Sequence, residues 1–214
     1  MVSSVKTLLA ASAVAAMPGL ASAAILDFTK DGSLTGTFRG IGYTVTGAPF
    51  AANQNQEFDG DASDVLAPLA LENDGIGIGA GGGTSPDEIA FGELLTITFE
   101  SAVKLTGVFF LDLFRAPDSS SEEVAIVTGD GIASTFMFEA IETYPGTGFA
   151  EGTFDKPLVG TVYNFTAGPT NDGVAQPDYS LAGLEIAPIP LPAGALLLGT
   201  GIVAFAAVKR RKKA

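Results

Sequence analysis

Charge is distributed along this chain in a way that fixes where a fold can form. All 24 acidic residues fall between Asp27 and Glu185. The same span holds five bases, Lys30, Arg39, Lys104, Arg115 and Lys156, and five against 24 gives it a net −19. The remaining bases are Lys6 and the run Lys209-Arg210-Arg211-Lys212-Lys213. Each of these flanks an uncharged apolar stretch, residues 7–16 at one end and 191–208 at the other. The chain therefore reads as an acidic body between two apolar ends that are expected outside its core.

The N-terminal end has the order of a secretory leader. Lys6 supplies the positive start, residues 7–16 the apolar stretch, and Met17-Pro18-Gly19 breaks it. Ala21-Ser22-Ala23 meets the small-x-small rule of signal peptidase, so Ala21 and Ala23 are the expected recognition residues and Ala24 the expected mature start. At the other end, the 18 residues 191–208 would span roughly 27 Å as a helix, enough to cross the apolar core of a bilayer. The basic run at 209–213 follows at once and is expected to stay cytoplasmic. Both ends thus place the body outside the inner membrane, anchored by its C-terminal helix.

The tail resembles a known sorting signal. Ile189-Pro190-Leu191-Pro192-Ala193, then an apolar helix, then the basic run, is similar to the VPLPA-CTERM form of the PEP-CTERM tail of Gram-negative bacteria. Ile189 stands where that family usually has valine, which keeps a β-branched apolar side chain. The resemblance implies recognition by an exosortase, a cut near the motif, and passage of the body to the cell surface or beyond. The expected organisation is a signal peptide at 1–23, a body at 24–187 and a sorting tail at 188–214.

The body is expected to be all-β. Leu95, Ile97 and Phe99 share one strand face and Leu94, Thr96 and Thr98 the other. A next run places Val103, Leu105, Phe109, Leu111 and Leu113 on one face, opposed by Val108 and Phe110, as in a strand buried on both sides. Residues 124–128 and 132–138 flank Gly129-Asp130-Gly131, a hairpin signal. Residues 25–28, 40–47, 158–166 and 179–187 supply further strands. Short strands with Gly, Asn and Asp turns predict an antiparallel β-sandwich, jelly-roll-like because the long loops before residue 93 suit a crossover. The body also resembles exported domains found ahead of such tails, through Asn73-Asp74-Gly75-Ile76-Gly77, Asp87-Glu88-Ile89, residues 109–114 and residues 179–186. That likeness implies no activity.

Composition excludes several chemistries. With no His and no Cys there is no His-based triad and no Cys/His metal centre. A net charge of −13 lacks the basic footprint of a nucleic-acid binder. Gly77-x-Gly79-x-x-Gly82 has the dinucleotide spacing, but Gly83-Thr84-Ser85-Pro86 follows it instead of a helix pattern. Asp59-Gly60-Asp61-Ala62-Ser63-Asp64 opens like a calcium loop yet has Asp64 and Ala70 where an EF-hand needs Gly and Glu. Asn164-Phe165-Thr166 is a glycosylation sequon inside an expected strand, and Phe109, Phe110 and Phe114 are expected in the core rather than on a sugar platform. Asp74, Asp87 and Glu88 bracket the Gly-rich loop and are the candidate Ca²⁺ ligands, since Ca²⁺ takes six to eight oxygens from carboxylates and carbonyls.

The functional expectation is an exported, exosortase-sorted surface or matrix protein whose body is structural or adhesive, without catalysis. Its partners are signal peptidase, exosortase, the inner membrane and an exopolysaccharide. The alternatives are a Ca²⁺-dependent carbohydrate-binding module and a secreted glycoside hydrolase built on two carboxylates.

Overall fold

A computed structural model describes residues 22–31, 33–54, 58, 60–79, 88–130, 134–173, 176–187 and 189. Ala21, Asp59, Gly82, Asp87, Pro190, Leu191, Pro192, Ala193 and the expected membrane helix and basic run lie outside them. Among the described residues no helix is long and apolar enough to cross a membrane.

The fold is all-β and almost wholly antiparallel. Its strands are β1 Ala24–Asp27, β2 Thr35–Phe38, β3 Ile41–Ala48, β4 Ala52–Gln54, β5 Ile76–Ile78, β6 Leu94–Leu111, β7 Phe114–Arg115, β8 Val124–Gly129, β9 Phe136–Glu139, β10 Glu142–Thr143, β11 Ala150–Ala167 and β12 Ser180–Ala187. One helical turn, α1 Phe28–Asp31, follows β1. It starts where Asp27 Oδ1 accepts the Thr29 amide at 2.9 Å, as a capping carboxylate does. Strands β7 and β10 form a small parallel pair.

Two strands of 18 residues each, β6 and β11, organise the large sheet. The first part of β6, residues 94–99, lies between β3 and the last part of β11. Beyond that part of β11 come β8 and then β9, which pair as the expected hairpin with Val124 opposite Glu139. The second part of β6, residues 104–111, lies between β12 and the first part of β11. The far edge of β12 takes β1, with Ala24 opposite Ile186, and also β5, which carries β4. One buried cluster gathers residues from both parts, including Leu95, Ile97, Val108, Phe110, Tyr163 and Leu184.

Leu95, Ile97 and Phe99 point into this core, as the alternation requires. The two expected runs are one continuous strand, and the second does not keep its face. Val103 and Leu105 enter the main cluster, but so do Val108 and Phe110, whereas Phe109 and Leu111 join a second cluster with Phe149 and Ala182. The cause is an extra residue at Thr106. Leu105 opposes Ile186 and Leu158, while Gly107 opposes Glu185 and Thr153, so Thr106 is skipped by both neighbours. A one-residue bulge exchanges the two faces of everything beyond it. The expectation that residues 103–113 are buried on both sides holds for 108–111.

β11 also begins earlier than its apolar pattern indicates. Ala150, Gly152 and Phe154 face inward, while Glu151, Thr153 and Asp155 face water. Its pairing with β6 breaks between Thr153 and Leu158, around Pro157, which has no amide hydrogen to give a ladder. The break frees Phe154 to meet the rings of Phe136 and Phe138 at 5.0 and 5.5 Å. Tyr163 closes the same region. Its buried hydroxyl lies 3.1 Å from Val103 O, 3.0 Å from Leu158 O and 3.4 Å from Gly160 O, carbonyls clustered around the irregular pairing. Burial pushes its pKa up to about 12, so the donor keeps its proton. Tyr163→Phe leaves those carbonyls without it. The expected cost is about 1–2 kcal/mol, read as a lower urea midpoint at unchanged slope; an unchanged midpoint would contradict this role.

Candidate functional site

The carboxylates worth weighing lie in the loops that lead into β5, β8 and β12. Asn73 fixes the first loop: its backbone and side-chain amides donate to Thr29 O at 3.1 and 2.9 Å, and its Oδ1 accepts the Gly75 amide at 2.8 Å. Gly75 has φ +110, and a Cβ there would collide with the Leu181 carbonyl, so the tight approach of this loop to β12 needs glycine. Asp74 is held between them and buried. Glu88 lies at the other end of β5, where its carbonyl accepts the Ile78 amide at 3.1 Å. Its Oε2 is enclosed by protein. Asp74 and Glu88 therefore flank opposite ends of β5, and Asp87 lies outside the described residues. Among the described residues no group of three or more acidic side chains is placed to hold a metal ion.

A different set of acids meets near the start of β8. Glu123 is 2% exposed, and Asp172 and Asp178 are also buried. Glu123 Oε2 accepts the Phe114 amide at 2.8 Å. Its own amide donates to Phe114 O at 2.9 Å, and its carbonyl receives Ala140 N at 3.0 Å. Burial pushes the Glu123 carboxyl up to about 9, and the negative charges of Asp178 and Asp172 push the same way, against the amides of Phe114 and Asp178. Glu123 is thus a neutral acid at pH 7. Nothing in Ser121-Glu122-Glu123-Val124 distinguishes it from a solvated loop acid. The one available signal is its place immediately before the apolar run of β8.

Open space lies elsewhere. A groove of about 540 Å³ is lined by Ala23, Ala24, Ile25, Leu66, Ala67, Pro68, Phe109, Glu151 and Glu185. A second, of about 570 Å³, shares Leu66 and Glu151 and adds Ser63, Asp64, Ile141, Glu142 and Phe149. Within it, Glu142 is occupied as a turn holder: its oxygens accept Thr147 N at 3.2 Å, Thr147 Oγ1 at 2.9 Å and Phe149 N at 3.1 Å. The loop after Gly60 also forms a turn. Asp61 Oδ1 accepts both the amide and hydroxyl of Ser63, which hold its carboxyl below the ordinary range. Asn164 is a strand residue whose Oδ1 accepts Thr96 Oγ1 at 2.9 Å. Phe109 and Phe110 are buried in the core as expected, but Phe114 is not: it is half-buried, outside both core clusters, with its ring edge-on against the exposed Tyr144 at 5.5 Å, because it lies on the short outer strand β7 and not on β6.

Of the expected boundary residues, Ala23 is half-buried at the first groove and Ile189 is exposed beyond the end of β12. Comparison with protein-family models, with curated proteins and with solved structures finds no match.

Glu123 makes a signed prediction. Its folded pKa of about 9 exceeds its ordinary 4.5, so the folded state holds a proton that the unfolded state gives up. The stability tied to this proton is full below pH 4.5 and lost as pH rises toward 9. Glu123→Gln keeps an acceptor for Phe114 N without a charge to bury. The variant should gain on the wild type by up to about 1.4 kcal/mol per pH unit across that window. Thermal unfolding from pH 5 to 9 checks this, and parallel curves for the two proteins would refute it.

Proposed function

We propose that this protein is exported, sorted by an exosortase, and acts as a non-catalytic structural or adhesive module at the bacterial surface or in an extracellular polymer layer. One observation carries the reading. The first strand begins at Ala24, directly after the expected signal-peptidase site, and the last ends at Ala187, two residues before Ile189 of the sorting motif. Among the described residues the strands fall within the interval between the two expected processing signals, as a body released by two cuts requires.

The finer architecture proposed is a β-sandwich in which β6 and β11 each run through both layers. Ring contacts between the two parts of the sheet support it: Phe28, after β1, meets Tyr43 of β3 at 6.2 Å, and Phe110 of β6 meets Phe138 of β9 at 5.7 Å. The jelly-roll-like crossover is supported by the path before residue 94, where β1 joins one part, β2 and β3 the other, and β4 and β5 return to the first. The adjoining grooves offer Leu66 and Ile141 as apolar contacts beside Asp64 and Glu151 as acceptors, a surface suited to a polyhydroxyl polymer.

The test is processing. Mature protein should start at Ala24, and the double change Pro190→Ala with Pro192→Ala should leave the body folded while a longer form stays in the membrane. Two prolines keep the segment extended for a protease to grip. A chain that keeps Met1, or normal processing of the double variant, would remove the export or the sorting part respectively. Retention on polysaccharide columns without turnover distinguishes adhesion from hydrolysis.

A further inference from the structure

We propose that the fold fixes the order of the two processing cuts: the leader is removed only while β1 is still undocked from β12, and the tail is removed afterwards from the folded body. The inference rests on the export reading above and goes beyond it, because it gives the fold control over when each cut can be made.

The leader's cut site is flush with the fold. A protease that takes an extended segment occupies its backbone hydrogen bonds on both sides of the cut. Here the residue after the cut is already in a ladder. Ala24 is paired with Ile186, and Ile25 with Glu185, Leu26 with Leu184 and Asp27 with Gly183 follow without a break. The residue before the cut, Ala23, is half-buried along the first groove. One residue further back, the Ser22 carbonyl accepts Arg39 Nη1 at 2.8 Å. Lifting Ala24 clear means lifting the strand, and the strand is tied at its far end as well. Leu26 and Phe28 are buried in the main core cluster, and Asp27 Oδ2 accepts the Ala70 amide at 2.8 Å.

The other end is arranged differently. The last pair of β12 with β6 is Ala187 with Lys104. Ile189, the first residue of the expected motif, lies beyond the strand and is exposed. A cut beyond Ile189 leaves every pair of β12 in place, whereas the leader site abuts the first pair of β1.

Topology supplies the interval in which the leader can be cut. Among the described strands β1 pairs only with β12, the last strand of the body. A chain that crosses a membrane from its N-terminus delivers β1 first and β12 last, so β1 has no partner until the whole body has crossed. Pairing of segments so far apart in sequence is also slow, because the intervening chain must first be closed into a loop. A first strand paired in a hairpin with its neighbour would close that interval at once.

The experiment presents the full-length precursor, in detergent micelles, to purified signal peptidase and follows the appearance of an Ala24 N-terminus. The open reference is the same precursor carrying Leu184→Asp, which sets a charge in the core opposite Leu26 and keeps β12 from docking; wild-type precursor freshly diluted from urea is a second one. The folded precursor should be cut roughly a hundredfold more slowly than either reference, at a rate set by the fraction of time β1 is undocked. Asp27→Ala, which removes the tie to Ala70, should speed the cut of the folded precursor several-fold and leave the open rate unchanged. A flexible Gly/Ser spacer between Ala24 and Ile25 preserves the residues up to the cut and should restore the open rate in the folded precursor. In cells that carry the exosortase, pulse-labelling should reveal leaderless chains that keep the tail. Equal rates for folded and open precursor, a spacer variant as resistant as the wild type, or tailless chains that keep the leader would each overturn the proposal. Open references that yield no Ala24 terminus overturn the export reading, and this proposal with it.

Discussion

The pairing of β6 with β11 is the constraint on which the other strands depend. Each is 18 residues long; β6 exchanges β3 for β12 along its length, and β11 gains β8 over its last residues. The strands that join early, β3 and β8, do so beside one half, and β12 beside the other. A pair this long cannot run straight and still enclose a core. The bulge at Thr106 and the break around Pro157 are where it gives, and Tyr163 supplies a hydrogen-bond donor at the place where regular pairing fails. In the proposed sandwich, these irregularities are what would allow one sheet to serve two sides of a core.

Backbone amides take up part of the body's excess of acid. Asp27 accepts the amides of Thr29 and Ala70, Glu93 that of Ala90, Asp118 that of Ser120, and Glu142 those of Thr147 and Phe149. Carboxylates placed this way satisfy loop amides that no strand reaches, so a charge surplus becomes a supply of caps. Glu123 is the case in which the surrounding negative charge and burial win, and the group stays neutral instead. Neither use would be served by replacing the acids with lysines, which offer no acceptor.

Much of this fold was legible in the sequence, and the reasons differ by region. β3 and the first part of β6 alternate cleanly because one face meets the core and the other water, whereas β8 and β12 were legible as apolar runs, β12 being buried on both faces over its first five residues. The face exchange at Thr106 was not legible, because Val108-Phe109-Phe110-Leu111 is apolar in both registers and period two cannot tell one from the other. The first part of β11 was hidden because its inward residues include Ala150 and Gly152, too small to mark a face. At the candidate sites, burial of Asp74 agrees with an acid that shapes a turn or holds an ion, and sequence leaves that choice open. Glu123, Asp172 and Asp178 were illegible for a plain reason: loop acids look alike until the chain is folded over them.

β12 gives the molecule a direction. Asp178 precedes its start and Ile189 follows its end, and at roughly 3.3 Å per residue the strand itself separates these by about 26 Å. The buried acids therefore sit several Debye lengths from the Ile189 end, since screening acts over about 8 Å at physiological salt. Lys104 of β6 lies opposite Ala187 at that second end, so the charge state of Glu123 and that of Lys104 do not bear on each other.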